Sequence, residues 1–404
     1  MNKQETKLLM QKLVDENKLP LIEVHMLVPS GPSLLNRDYN NRIKTISVGG
    51  VNRVRVSSQS KKRPIRVKEY TDNTTHSKYL PQKLAKKLEV MGKDEAYIQA
   101  ALQCLFGKDG GAKGTNQILA FCDHDVDEIA SIITDAAANT DSFKAKGFKA
   151  TCKKSLISNA KERAIDDTTC LMGRMSTDPS LVQTVEAACH LSHMYSIDAW
   201  HGDNDTYTAV DDMKAQFEEL DFVKWLNDDV SDQGVAYIDA SDIASNVLYG
   251  YTNISTRTLI ENKLRNISAD DNEGIKKAVE ESRDIIRRYI SDYIMISPQA
   301  KQTSCATSPM PLAVLITAGT EVQPITADSV FEKVINGTEN NSVGDQGVRK
   351  LCEFATNIAE GSFAINQYQK MFWISDMYKS NIPSACKSTS LKNTLNELLS
   401  IVGE

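Results

Sequence analysis

Short apolar runs of strand length alternate along this chain with longer amphipathic segments. Strand character is found at 21–28 (LIEVHMLV), at 46–56 (ISVGGVNRVRV) and at 311–319 (PLAVLITAG). Before the last of these lies the segment 273–294, whose apolar residues recur every three to four positions. Continuous or alternating apolar runs favour strands, and a period near 3.6 favours helices. Because the two kinds of segment are interleaved, the sequence predicts an α+β or α/β fold.

The remaining segments suggest how this fold is organised. Residues 81–171 are predicted to be mostly helical and to form an inserted subdomain. A strand is predicted at 185–197, followed by a polar, turn-rich excursion, and a further strand lies within 234–254. A short helix is predicted at 3–16, and only helices are predicted after residue 319.

Charge is distributed very unevenly over the 404 residues. The net charge is −6, yet the segment 39–68 contains nine basic residues and no Asp or Glu. Removing these nine from the 47 basic residues leaves 38 against 53 acidic residues, so a basic site lies on an acidic body. A basic run is commonly only a solvated face, but thirty residues without an acid in such a protein favour a site for an anionic polymer. The nine are Arg42, Lys44, Arg53, Arg55, Lys61, Lys62, Arg63, Arg66 and Lys68.

Several classes of protein are disfavoured. No stretch approaches the roughly 18 consecutive apolar residues of a membrane span, and the N-terminal segment lacks the apolar core of a signal peptide, so a cytoplasmic location is expected. The eight cysteines are scattered singly without a C-x-x-C pair, which disfavours a zinc module or a disulfide framework. No cofactor is indicated.

The strand within the basic segment has two unlike faces. Val54 and Val56 share one face, which is expected to meet the core. Arg53 and Arg55 share the other, which is expected to present two guanidinium groups to a ligand.

The sequence after this strand predicts the start of a helix. SSQS at 57–60 supplies N-cap residues, and Pro64 is expected to lie in or near the first turn. Lys62 and Arg66 are four residues apart and project from one helix face. The N–H groups and dipole at a helix N-terminus favour an anion, so this segment is predicted to bind the backbone of a single-stranded nucleic acid.

Two enzyme-like patterns are weaker. Three histidines lie close in sequence to three aspartates and could bind a divalent metal, but no H-E-x-x-H helix supports them, and the first two are predicted to point to opposite faces of a strand. The glycine-rich segment 107–114 lacks the order of a P-loop and is interpreted as a flexible linker. The first group comprises His190, His193, His201, Asp198, Asp203 and Asp205.

Motifs along most of the chain resemble those of a known family. The resemblance begins with SLLNRD at 33–38, Lys44, Gly49, Gly50, RVRVSSQSKKR at 53–63 and Arg66. It continues in order with GRMS at 173–176, TAVDD at 208–212, NVLYGYTNI at 246–254 and PQAKQ at 298–302. In these motifs the chain resembles CasC proteins of the RAMP superfamily, the backbone subunits of the type I-E CRISPR complex Cascade.

The resemblance implies a fold and domain boundaries. It implies an α+β fold with an RRM-like (ferredoxin-like) palm formed by 21–75 and 180–404, the latter including C-terminal helices. A large helical fingers insertion would occupy 76–179, and a protruding thumb would lie within the palm at 196–232. Residues 1–20 would be an extension that precedes the family's usual start.

It also implies RNA contacts. Met175 and Tyr207 would wedge against a displaced base, although Thr206 stands where the family has a tryptophan. Lys301, in PQAKQ, is a further candidate. The contacts implied in the basic segment are Lys44, Ser57, Gln59, Lys62, Arg63 and Arg66.

The function implied is that of a non-catalytic subunit, not an enzyme. About six copies would wind along one crRNA spacer and present it to target-strand DNA, together with large, small and crRNA-end-capping subunits. An alternative is suggested by related subunits that cleave bound target RNA through a loop aspartate, a position that Asp38 could fill.

Overall fold

A computed structural model of the chain describes residues 18–70, 74–138, 165–176, 181–209, 237–265, 270–378 and 382–403, with shorter pieces within 8–16, 148–155 and 267–268. The helix predicted at 3–16 and the later part of the thumb predicted at 196–232 lie largely outside these residues. No helix in the described ranges is both long enough and apolar enough to cross a membrane.

The described elements follow one another in the order in which they are numbered here. The strands are β1 (Leu21–Pro29), β2 (Thr45–Val48), β3 (Val51–Val56), β4 (Thr75–Ser77), β5 (Leu119–Phe121), β6 (Cys189–Leu191), β7 (Met194–Ser196), β8 (Asn204–Ala209), β9 (Tyr237–Asp242), β10 (Val247–Ser255), β11 (Ala313–Gly319), β12 (Lys370–Ile374) and β13 (Lys387–Ser388). The helices are α1 (Ser58–Tyr70), α2 (Leu80–Val90), α3 (Glu95–Phe106), α4 (Asp123–Ala138), α5 (Asp167–Met172), α6 (Thr256–Lys263), α7 (Asn272–Met295), α8 (Gln302–Cys305), α9 (Asp328–Phe331), α10 (Val343–Glu360) and α11 (Leu391–Leu399).

One sheet collects nine of the described strands. Its order is β13-β12-β11-β1-β10-β7-β3-β2, and β6 also pairs with β10. The pairing is antiparallel except between β12 and β13, which are parallel. The predicted α+β class is therefore confirmed, with a mixed sheet at its centre.

Alternating side chains of β1 bury against two different layers. Ile22, Val24 and Met26 belong to a core that includes α7 residues such as Ile286. Leu27 points to the opposite face and belongs to a second core with residues of α10. Because both faces of the sheet are covered, β1 is buried almost along its whole length.

A separate core lies in the region predicted to be helical. Residues of α2, α3 and α4 pack together with the two-stranded sheet β4–β5, around side chains such as Leu84, Phe121 and Ile129. The helices predicted here are found, whereas β4 and β5 were not predicted. The fingers boundary at 76–179 and the RRM-like palm remain predictions.

Three local predictions are wrong. The predicted strand at 46–56 is a hairpin of β2 and β3, because Gly49 and Gly50 both have positive φ and turn the chain. Pro64 lies inside α1 and not in its first turn. The region after residue 319 is not all helical, since β12 and β13 extend the sheet there.

Candidate nucleic-acid interface

The centre of the candidate interface is the junction between β3 and α1, which a neighbouring loop holds in place. The Asn36 side chain accepts the Ser57 N–H at 2.9 Å, and its backbone carbonyl accepts the Lys44 N–H at 2.9 Å. The Lys44 carbonyl in turn accepts the Arg55 N–H at 2.8 Å. Lys44 and Ser57, both predicted contacts, are thus positioned on one rigid junction.

Ser57 is the N-cap of α1, as the sequence predicts. Its hydroxyl oxygen accepts the Ser60 N–H at 3.3 Å, and the side chain is buried. Its side chain therefore caps the helix, while the exposed Gln59 begins the outer surface.

Arg53 does not face a ligand, contrary to the sequence prediction. It is fully buried, and its guanidinium donates to the carbonyls of Phe331 (2.7 Å) and Glu332 (2.6 Å) and, at 3.4 Å, to that of Ser196. The face opposite Val54 meets a second packed layer instead of solvent. Arg53 is therefore a structural residue that ties β3 to the C-terminal end of α9.

Two further cations of the basic segment hold α1 against α7. Lys61 is buried, donates to the Ile296 carbonyl and lies 5.1 Å from the centre of the Tyr293 ring. Burial lowers the pKa of Lys61 to about 7, although Asp292 opposes this shift. Lys68 forms an ion pair with Asp292 at 2.9 Å.

The remaining cations of α1 form its outer face. Arg63 is exposed, and Lys62 and Arg66 are partly exposed. The Lys62 ammonium reaches the Met172 carbonyl at 3.3 Å, which connects α1 to the end of α5. Burial, followed by the charges of Arg66 and Lys62, lowers the pKa of His76, so these cations share one neighbourhood.

We refer to six partly or fully exposed cations around this junction, together with Gln59, as the basic strip. All of its members are on the β2–β3 hairpin, its lead-in or α1, and its cations form no ion pair with any residue that the structure describes. The basic strip consists of Arg42, Lys44, Arg55, Gln59, Lys62, Arg63 and Arg66.

His193 lies against the basic strip and was not predicted as a contact. The imidazole is exposed, and its Nδ1 accepts the Ser58 N–H at 3.0 Å. The pKa of His193 is lowered, first by the partial desolvation of its ring and then by the positive charges of Arg55 and Lys44. The sequence placed His193 within a predicted strand and in the histidine and aspartate group, and neither feature shows that this strand lies beside β3.

Met175 lies beyond the end of α5, on the segment that Lys62 contacts. Its side chain is 85% exposed, so the default interpretation of a lone methionine as a core residue does not hold. The preceding Arg174 is buried and forms an ion pair with Asp125 at 2.7 Å. The backbone next to Met175 is therefore anchored by Arg174, while the apolar side chain of Met175 is exposed.

Tyr207 of the β8–β9 hairpin lies close to Lys301. The Lys301 ammonium lies 5.9 Å from the centre of the Tyr207 ring, which is 43% exposed. Tyr207 also donates its hydroxyl to Asp239 at 3.1 Å. These residues line a cleft of about 760 Å³ together with Arg42 of the basic strip.

Asp38 builds a turn. One carboxylate oxygen accepts the N–H groups of Asn40 (2.8 Å) and Arg42 (2.9 Å). This arrangement fixes the loop that carries Arg42.

The histidine and aspartate group is not assembled as a metal site in the described residues, where no three His, Cys, Asp or Glu side chains could hold an ion together. His190 contacts the Asn253 side chain at 3.0 Å. Asp198 instead accepts the Asn246 amide at 2.8 Å and the Val247 N–H at 3.1 Å.

Two solved structures are similar to the chain in fold. One is a chain of a "CRISPR RNA-guided surveillance complex, pre-nicking", with a TM-score of 0.71 and 19% identity over 94% of this chain and 99% of that chain. The other is a chain of a "CRISPR RNA-guided surveillance complex", with a TM-score of 0.62 and 17% identity over the same shares. At these identities the likeness shows a common fold.

Comparison of sequences gives the family. No curated protein matches the chain. The family model described as CT1975-like protein matches residues 22–401, from the second residue of β1 to beyond α11. The match covers nearly the whole chain, including the β3–α1 junction and both cores, and this chain belongs to the CT1975-like protein family.

Proposed function

We propose that this chain is a crRNA-binding backbone subunit of a CRISPR surveillance complex of the type I-E Cascade branch, and that it does not itself cut nucleic acid. The observation that carries the proposal is the basic strip, in which six cations from one acid-free segment surround a single rigid junction. An acidic protein of net charge −6 would gain nothing in solubility from such a cluster. A phosphate chain is the ligand that the cluster fits best.

Contacts between cations and phosphates suit a protein that binds guide RNA of any sequence. Cations that bind phosphates fix the position of a nucleic acid but read no bases. Met175 and Tyr207 present an apolar and an aromatic surface, against which any base can stack or be displaced. Sequence specificity would then come from base pairing between the guide and target-strand DNA.

Binding that does not depend on sequence lets several copies of the chain line one crRNA. About six copies line the crRNA spacer as a helical homo-oligomer, and the complex also contains large, small and crRNA-end-capping subunits. The fold shared with chains of RNA-guided surveillance complexes supports this arrangement.

The absence of cleavage is part of the proposal, and the role of Asp38 supports it. Its carboxylate already holds the two N–H groups of its own turn. This contact gives one oxygen of the Asp38 carboxylate a role in the loop that presents Arg42, whereas the alternative of a target-cleaving ribonuclease would use the other oxygen for chemistry.

The test is to mix the purified protein with single-stranded RNAs of increasing length and to measure the mass of the complexes. We expect the number of bound copies to rise stepwise with RNA length. An added complementary strand should stay intact with Mg²⁺. Metal-dependent cutting that is lost in Asp38→Asn, which retains an acceptor for the turn, would favour the ribonuclease instead.

A further inference from the structure

His193 occupies the position at which a ligand would approach the N-terminus of α1. His193 immediately precedes β7, and its side chain is exposed. The backbone N–H of Ser58, the first residue of α1, donates to Nδ1 of His193 at 3.0 Å. A free helix N-terminus offers such N–H groups directly to an anion. Here the His193 imidazole accepts the Ser58 N–H, and the Ser57 hydroxyl accepts the Ser60 N–H.

The contact with Ser58 fixes the state of the ring. Since Nδ1 accepts a hydrogen bond, the proton of the neutral imidazole is on Nε2. Burial and the nearby Arg55 and Lys44 lower the pKa of His193, so the ring is neutral at pH 7. No acceptor for the Nε2–H group is found among the described residues, so this group can donate to a ligand.

We propose that His193 is a phosphate-binding residue, whose neutral ring accepts the Ser58 N–H at Nδ1 and donates its Nε2–H to a backbone phosphate oxygen of the RNA. The inference rests on the proposed RNA-binding function. Lys44 and Arg55 attract the phosphate, and the imidazole extends the polarity of the α1 N-terminus to it.

A neutral donor has a distinctive signature. Binding of a phosphate by Lys or Arg releases counterions and steepens the dependence of affinity on salt, whereas a hydrogen bond from a neutral ring does not. Loss of His193 should therefore weaken RNA binding without changing the salt slope. Lys44→Ala should weaken binding and make the slope shallower.

Two substitutions separate the two ring nitrogens. Asn places an acceptor near the position of Nδ1 and retains the contact with Ser58, whereas Gln places an amide donor near the position of Nε2. We expect His193→Asn and His193→Ala to bind single-stranded RNA roughly tenfold more weakly than the wild type, at an unchanged salt slope. His193→Gln should bind more tightly than His193→Asn, and His190→Ala should bind as the wild type does.

The outcomes distinguish this inference from the proposed function. If His193→Asn binds as tightly as the wild type, or more tightly than His193→Gln, the residue only caps α1 and the inference is overturned. If the wild type and His190→Ala both fail to bind RNA, the proposed function is overturned and the inference with it. Thermal unfolding of His193→Asn, which retains the cap, checks that the comparison is made between folded proteins.

Discussion

At the scale of single residues, basic side chains that look alike in the sequence have opposite roles. Arg53 and Arg55 share a strand face, yet Arg53 is buried against carbonyls while Arg55 keeps partial exposure. The alternation of β3 was predictable, but the layer that covers its second face comes from residues 331 and 332, nearly 280 positions later. Local periodicity contains no information about such a distant partner.

Removing the Arg53 guanidinium should destabilise the protein. Arg53→Met retains the apolar stem but leaves buried carbonyls unpaired, and we expect a loss of about 3 kcal/mol in the free energy of unfolding. Arg42→Met, at an exposed position, should change it by less than about 0.5 kcal/mol. Urea unfolding followed by circular dichroism measures both, and equal effects would show that Arg53 has no structural role.

Lys61 should give stability a specific pH dependence. Its pKa is lowered to about 7 in the folded protein, so between about pH 7 and its unfolded value near 10.5 the unfolded chain binds more protons. The contribution of Lys61 to the free energy of unfolding should therefore be lowest below pH 7 and rise as the pH increases toward 10. Subtracting the free energy of unfolding of Lys61→Met at each pH isolates this contribution, and a flat difference would contradict it.

At the scale of elements, the strands and helices with strong patterns were predictable and those that depend on partners were not. β1, α7 and β11 are found where their apolar patterns place them, and α1 begins where its N-cap residues predict. β12 is only five residues long and lies between helices, and its strand character depends on pairing with β11. The hairpin of β2 and β3 was missed, although the pair Gly49 and Gly50 between two short apolar runs is a signal for a two-residue turn.

Substitution of the two glycines of this hairpin should destabilise the protein to very different extents. Both have positive φ, so alanine at either costs about 1–2 kcal/mol in backbone strain. A Cβ at Gly49 would also lie 2.1 Å from the Glu332 carbonyl oxygen, whereas one at Gly50 meets nothing within 4 Å. We expect Gly49→Ala to be the more destabilising by roughly 2 kcal/mol, as measured by thermal unfolding.

Equal destabilisation in the two variants would mean that the hairpin does not pack on the Glu332 carbonyl. That carbonyl also accepts from Arg53, so one group anchors both the turn and the strand.

At the scale of the whole molecule, uneven charge was the most informative sequence feature. The acid-free segment that it singled out contains every cation of the basic strip, although Arg53, Lys61 and Lys68 of the same segment hold the structure together. The approach of Lys301 to Tyr207 could not be predicted from charge, because it depends on how the β8–β9 hairpin returns to the sheet. His193 was missed because its place beside the basic strip depends on the pairing of β7 with β3, two strands that are far apart in the sequence.

The most direct test of the basic strip is the affinity for single-stranded RNA over a salt series. Lys62→Ala/Arg63→Ala/Arg66→Ala should bind more weakly, with a salt slope shallower by about 2, since each lost phosphate contact removes about 0.7. Lys276→Ala/Lys277→Ala/Lys392→Ala changes the charge equally, but at the other end of α7 and on α11, and should bind as the wild type does. Equal affinity and slope in the two variants would contradict the assignment of the basic strip as the RNA-binding surface.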